Sequence, residues 1–329
     1  MPSHAEANPP AGAVAPPAVG SQGLSAGRCL PLPGVFLVGA PRCGTTSLYQ
    51  ALRLNPQICA ARPKETHFFL RPGRADSPSS AARYYDRRFF PHRAGQHRVM
   101  LDGSVSHLYS ADALRRIDRV DPAAKFIVMV RNPVELVHSF YHRLVYLMDE
   151  TAPTFAEAWE LQAERLRGER IPRKCRDSRF LIYGEIGRLG HYLEQLVAIV
   201  GRDRCHVIVF DDLVAHGEAV HELVLDFIGV DRDPGIAIRR KNGTRTFANG
   251  WLQRLYINPP RALARLVDPD VMMTATWIKR VRKRLKRRNT RRAGQPALDP
   301  ALRPIIHAHF AADIDRLATL LGRDLSHWR

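Results

Sequence analysis

The sequence predicts an α/β fold: a three-layer, phosphate-loop-type domain whose mostly parallel central sheet is flanked by helices. Three observations predict it. Two short apolar runs, Val35 to Val38 and Phe126 to Val130, have the composition of strands covered on both faces. Each run passes through a turn into a pattern of helical period, as strands joined by helical crossovers do. After the N-terminal stretch, roughly 300 residues remain, enough for one large domain with a sizeable core.

Residues 1–30 are mainly Ala, Pro, Gly and Ser and carry few large apolar groups. They bury too little surface to offset the entropy of ordering, so a disordered tail is expected there and a folded domain over 31–329. Those thirty residues lack a charged head leading into an apolar core, and no run in the chain reaches the roughly 20 apolar residues of a membrane span. The five cysteines are scattered without metal-ligand spacing, which reads as reduced thiols in a cytoplasmic protein. The formal net charge of +18 predicts attraction to anions. Nucleic acid, an anionic membrane, an acidic polysaccharide and a multiply charged cofactor all satisfy it.

The first strand leads into Gly39-Ala40-Pro41-Arg42-Cys43-Gly44-Thr45-Thr46-Ser47-Leu48. Leu48 and Leu52 lie one turn apart on the helix that follows. Strand, glycine loop and helix N-terminus make an anion cradle, because free N–H groups and the positive end of the helix dipole point into the loop. The spacing Gly39-x4-Gly44 is that of a nucleotide phosphate loop, but Thr45 stands where a lysine is usual. The cation sits earlier, at Arg42, and three hydroxyls follow at Thr45, Thr46 and Ser47. That set suits a compact anionic group bound without a metal. A phosphate-loop kinase of small molecules is disfavoured by Thr45 and by Arg131, a cation rather than a magnesium-binding carboxylate, at the end of the second strand.

About twenty residues on stands Lys64-Glu65-Thr66-His67-Phe68-Phe69. In an extended segment Glu65 and His67 share one side while the aromatics bury themselves. Residues 70–97, with the pairs Tyr84-Tyr85 and Phe89-Phe90, read as a loop and a short helix, either at an acceptor rim or in ordinary packing. A strand near Arg98 to Asp102 leads to Gly103-Ser104-Val105-Ser106-His107-Leu108-Tyr109.

The second apolar strand ends in Arg131, at the carboxyl edge where open α/β sheets take ligands. Asn132 and Pro133 read as N-cap and first helical residue, and Ser139 falls two turns into that helix. Residues 150–176 read as an amphipathic helix and loop. A further helix from Ile186, a strand from Cys205 to Phe210, and Asp211-Asp212-Leu213 with another helix follow. Arg239 to Arg245 form a basic loop. Ile278 to Arg288 read as a cationic helix, within a basic helical segment 278–292 that could contact an anionic surface. The chain closes with an amphipathic helix over Leu302 to Leu321 and the run Leu321 to Trp328.

Together these stretches resemble the sulfotransferases that use 3′-phosphoadenosine 5′-phosphosulfate (PAPS), bacterial and carbohydrate-type (heparan sulfate) members in particular. The resemblance spans roughly residues 33–328. Pro41 to Leu48 looks like the family's 5′-phosphosulfate loop, which implies that Arg42, Cys43, Gly44, Thr45, Thr46 and Ser47 bind the donor. Arg131-x7-Ser139 resembles its 3′-phosphate site. Arg240 and Lys241 fall where a late basic loop of the family closes over that phosphate. Lys64 to Phe69 resembles its catalytic segment, which implies Glu65 as general base with His67 beside it, and Arg42 and Lys64 neutralising charge on the leaving group. An arginine cannot readily give up a proton, so Arg42's part is electrostatic. In-line sulfuryl transfer to an alcohol needs such a base for the hydroxyl proton. The resemblance therefore implies transfer from PAPS to a hydroxyl of a carbohydrate, glycoconjugate or other small acceptor, with no metal required and no specific nucleic acid bound. Charge alone supports a second alternative, a non-enzymatic nucleic-acid-binding protein, which leaves Glu65 and His67 unexplained.

Overall fold

The computed structural model describes residues 29–31, 34–71, 77–233, 245–257, 284, 288–292, 294 and 296–329. At its centre is a five-stranded sheet of β1 (Gly34–Leu37), β2 (Ile58–Ala60), β3 (Val99–Asp102), β4 (Lys125–Val130) and β5 (Cys205–Val209). Their spatial order is β2-β3-β1-β4-β5, and all four pairings are parallel. The α/β class and the flanking helices expected from the sequence are those observed. All of β1, β2 and β3 is buried, as is β4 after Lys125, which is why these strands read as continuous apolar runs.

Helices cover the sheet: α1 (Thr45–Leu52), α2 (Pro78–Phe89), α3 (Ala111–Val120) and α4 (Pro133–Leu147), then Leu189–Val200, Gly217–Ile228 and Leu302–Leu321. Local chemistry starts several of them. Asn132 Oδ1 accepts the Val134 N–H at 3.0 Å, with Pro133 opening α4 as expected. The last helix packs on Leu189–Val200 at Gly190, where a Cβ would stand 2.5 Å from the Asp313 carbonyl oxygen. The Asp313 carboxylate accepts the N–H groups of Gly190 (2.8 Å) and His191 (2.9 Å), capping one helix from another.

From β1 the chain steps out to β2 and returns through β3, whereas β4 and β5 continue on the other side. The strand order reverses at β1, so the loops leaving β1 and β4 open side by side, the place where such sheets bind ligands.

Two sequence-based expectations change, and one open alternative, the role of the aromatics of 84–90, is decided for ordinary packing. Cys29 donates its N–H to Val120 O (2.9 Å) and Leu30 is buried, so the ordered chain includes two residues assigned to the tail; residues 1–28 lie outside the described residues. The aromatics of 84–90 mostly serve the core, with Tyr85, Phe89 and Phe90 buried and Phe68 packed 5.3 Å from Tyr85. Within the basic segment expected to be helical, Thr290–Arg292 is instead a strand, β7, paired antiparallel with β6 (Arg245–Phe247). The Tyr146 and Thr290 hydroxyls are hydrogen-bonded at 2.9 Å, and Asn289 Nδ2 donates to Asn249 O and Gln253 Oε1 at 3.1 Å each. Those contacts dock the segment on the end of α4 and override its local pattern. Of residues 278–287 only Arg284 is described, and Arg240 and Lys241 lie outside the described residues. No described helix is long and apolar enough to cross a membrane.

Candidate active site

The loop after β1 stays zipped to β4 for two more residues: Val38 N–H donates to Ile127 O (3.0 Å) and Ala40 N–H to Met129 O (2.7 Å). Leu108 packs against Gly39, where a Cβ would come within 2.6 Å of its Cδ2, so a larger residue there would have to displace the buried Leu108 side chain. Arg42 (φ 68°) and Gly44 (φ 85°) both adopt the left-handed conformation. For arginine that costs about 1–3 kcal/mol, a strain typical of binding loops. No side chain caps the N-terminus of α1, and its first turn contains no acidic residue. Its first amides are thus left for an incoming anion.

Two hydrogen bonds join this loop to the end of β4. Arg42 Nε donates to Ser139 Oγ at 2.9 Å, and Arg131 donates to the Arg42 carbonyl at 3.3 Å. Ser139 is buried, and the Arg131 side chain is 19% exposed, its guanidinium 4.7 Å from the Phe210 ring centroid and 3.5 Å from Glu135 Oε2. The residues read as two separate motifs therefore form one cationic and hydroxyl-bearing corner. Thr45 and Ser47 are buried in the first turn of α1, while Thr46 is half-buried. Cys43 points into the core, its Sγ 3.6 Å from Pro41 O, and burial pushes its thiol up to about 12 against the pull of Arg131 and Arg42. The Cys43 N–H is directed at Ala40 O (3.4 Å). Beside Ser139, the His138 and His142 Nε2 atoms lie 3.2 Å apart. Burial lowers both imidazoles, His138 to about 4, so this wall of the corner is neutral at pH 7.

The segment Lys64 to His67 is held by β3 and the turn after it. Gly103 N–H donates to Lys64 O (3.1 Å), and Lys64 Nζ returns a bond to Gly103 O (2.9 Å). Ser104 Oγ accepts the N–H groups of Thr66 (2.8 Å) and His67 (3.1 Å), and the Thr66 hydroxyl donates to Asp102 Oδ2 (2.6 Å). Thr66 is thus pulled inward and Glu65 and His67 stay partly exposed, but the segment is not extended throughout, since His67 turns in the left-handed conformation (φ 50°). Glu65 stands between two nitrogens, Lys64 Nζ at 3.2 Å from Oε1 and His67 Nε2 at 3.6 Å from Oε2. His67 Nδ1 shares a 2.7 Å hydrogen bond with Ser106 Oγ. The Glu65 side chain is 39% exposed, open to a reactant. Tyr49 connects this segment to the loop's helix: its hydroxyl donates to Ala61 O (2.6 Å), and Lys64 Nζ lies 5.7 Å from its ring centroid.

Sequence reasoning passed over Asp102, Ser104 and Phe210. Asp102 is 1% exposed and also accepts from the Tyr85 hydroxyl at 2.6 Å. A carboxylate closing an apolar strand at the ligand edge was a usable signal for it. Phe210, read as the last residue of β5, lies beyond that strand and supports Arg131, which no local pattern announces.

Comparison with known proteins agrees with this geometry. Residues 32–241 match the sulfotransferase domain model. The chain is 35% identical over 115 residues to mouse heparan sulfate glucosamine 3-O-sulfotransferase 6, covering 33% of this chain and 30% of that protein. A 44-residue stretch, 13% of this chain and 8% of the other, is 46% identical to human carbohydrate sulfotransferase 15. The chain therefore spans less than a third of the length of either relative. Among solved structures, a sulfotransferase from Alicyclobacillus acidocaldarius superimposes with a TM-score of 0.61 at 25% identity, over 90% of this chain and 98% of that one. The phosphate loop and the arginine-to-serine bridge lie within the matched residues, and a match over well more than half of its length makes this chain a member of the sulfotransferase domain family.

Proposed function

We propose that the protein moves the sulfuryl group from PAPS to a hydroxyl of a carbohydrate or glycoconjugate, with Glu65 as the general base. When bound, PAPS supplies an activated sulfuryl group on a phosphate leaving group. The residues present fit such a donor. The uncapped start of α1 and the hydroxyls of Thr45, Thr46 and Ser47 suit a 5′-phosphosulfate, and Arg131 and Ser139 suit a 3′-phosphate. Arg240 and Lys241 join the donor set in this reading.

One contact carries the most weight. The Arg42 to Ser139 hydrogen bond makes the two donor motifs a single binding corner, as a ligand with an anionic group at each end requires. Glu65 then takes the acceptor's proton while its carboxylate is steadied by Lys64 and His67. Lys64 and Arg42 offset the charge that grows on the leaving phosphate. A sugar acceptor is favoured by the Lys64-Glu65-Thr66-His67 segment and by the names of the carbohydrate-modifying relatives.

The test is incubation with 35S-labelled PAPS and a panel of polysaccharides, phenols and lipid alcohols, with adenosine 3′,5′-bisphosphate release followed in parallel. Label in a polysaccharide fraction supports the proposal. Label confined to phenols or lipids rejects the acceptor class, and failure to bind adenosine 3′,5′-bisphosphate rejects the donor.

A further inference from the structure

The C-terminal segment closes on the corner where the two donor motifs meet. Past the helix Leu302–Leu321 the chain turns at Gly322 and ends in a short 3-10 helix, Ser326–Trp328. Leu325 and Trp328 are each 1% exposed, and terminal residues reach such burial only when they are tied down. Trp328 is tied to two strand ends. Its indole Nε1–H donates to Asp211 Oδ2 (3.1 Å), just past β5, and its carbonyl accepts from Asn132 Nδ2 (3.2 Å), just past β4. Arg323 adds an ion pair to Asp212, and His327 Nε2 lies 3.7 Å from Asp211 Oδ2.

Each anchor is the chain neighbour of a residue at the phosphate corner. Asn132 follows Arg131. Asp211 follows Phe210, whose ring faces the Arg131 guanidinium at 4.7 Å. Atoms of that same ring lie 3.3 Å from the place a Cβ would occupy on Gly44. Phe210 therefore fills the gap between the phosphate loop and Arg131, and the backbone that carries it is pinned by Trp328. The Arg131 guanidinium rests on that ring face, bonds to a loop carbonyl and lies 3.5 Å from Glu135 Oε2, so the ring is one of three contacts that place it. A shift of the ring shifts the fork that must meet a phosphate.

We propose that Trp328 is a positioning residue for the donor's 3′-phosphate: it pins Asp211 and Asn132, and through them Phe210 and Arg131, while too buried to touch a ligand itself. The proposal rests on the reading of Arg131 as the 3′-phosphate ligand. It predicts an effect specific to one end of the donor, which a general loss of stability would not produce.

The experiment compares calorimetric titrations of adenosine 3′,5′-bisphosphate and adenosine 5′-monophosphate into the wild type, Trp328→Phe, Asp211→Ala and Arg131→Ala. Trp328→Phe keeps a ring in the slot and loses the indole N–H, and Asp211 is exposed enough for folding to tolerate alanine. Each should weaken the bisphosphate by about five- to tenfold, the worth of one hydrogen bond, and leave the monophosphate within twofold. Equal weakening of both nucleotides, or of neither, by both variants overturns the positioning role. If Arg131→Ala leaves bisphosphate affinity unchanged, the 3′-phosphate assignment fails and the proposal falls with it. A loss with Arg131→Ala but with neither Trp328→Phe nor Asp211→Ala removes this proposal and leaves that assignment standing.

Discussion

Arg42 and Ser139 lie 97 positions apart in the chain and 2.9 Å apart in the fold, Nε to Oγ. The parallel pairing of β1 with β4 makes that possible, because it opens the loops after both strands on the same edge of the sheet. A glycine loop alone binds one anionic group, and a strand-end arginine alone binds another. Their union across the switch in strand order underlies the proposed site for a ligand that carries both.

Arg42→Gln removes the charge and keeps a donor for Ser139. Affinity for adenosine 3′,5′-bisphosphate should fall at least about tenfold, the worth of one charge-assisted hydrogen bond. Calorimetry checks it, and an unchanged affinity would show that the Arg42 charge does not meet the donor.

Acid should destabilise the protein through its buried histidines. Burial lowers His107 to about 4, with Asp102 partly opposing, and His138 and His206 are lowered to about 4 by the same cause. An unfolded histidine titrates near the ordinary value of 6.5. Between those limits the unfolded chain binds protons that the folded chain refuses, so stability is full above about 6.5 and is lost as the pH falls toward 4. Both ring nitrogens of His107 lack hydrogen-bond partners, so His107→Leu sacrifices no polar contact. Urea midpoints at pH 7 and pH 5 should differ less for His107→Leu than for the wild type. An equal difference would mean that His107 does not contribute to the acid sensitivity.

Arg165 and Glu150 form a fully buried ion pair, with bonds of 2.7 and 2.8 Å, and the Tyr183 hydroxyl donates to the same carboxylate at 2.7 Å. Arg165→Ala leaves that carboxylate charged and unpaired in the interior, at a cost of about 3–5 kcal/mol. Urea denaturation measures it, and a loss below about 1 kcal/mol would mean that water reaches the site.

What could be read from the sequence followed from how local each signal is. The apolar runs of β1 and of β4 after Lys125 announce strands covered on both faces, and Gly39 to Gly44 announces an anion loop at the end of one of them. Asn132 and Pro133 mark a helix start by chemistry within three residues. Glu65 and His67 do lie side by side, 3.6 Å apart, but through a left-handed turn at His67 that an extended reading does not foresee. Distant pairings left no such mark. Thr290–Arg292 joins Arg245–Phe247 across a long separation, and a run dense in arginine reads as a helix face until that partner is known. The Glu150–Arg165 pair lay in a stretch read as an amphipathic helix and loop, where nothing local marks two charges as buried partners. Asp102 and Ser104 orient the Lys64 to His67 segment through bonds that exist only once β3 lies beside it.

Glu65→Gln tests the central claim most directly, since it preserves shape and removes only the capacity to accept a proton. With PAPS and a polysaccharide acceptor identified by the labelling panel, turnover should fall by about 10² or more while affinity for adenosine 3′,5′-bisphosphate stays within twofold. Turnover near that of the wild type would contradict the account, because the proton of the acceptor hydroxyl would then leave by a route that does not involve Glu65.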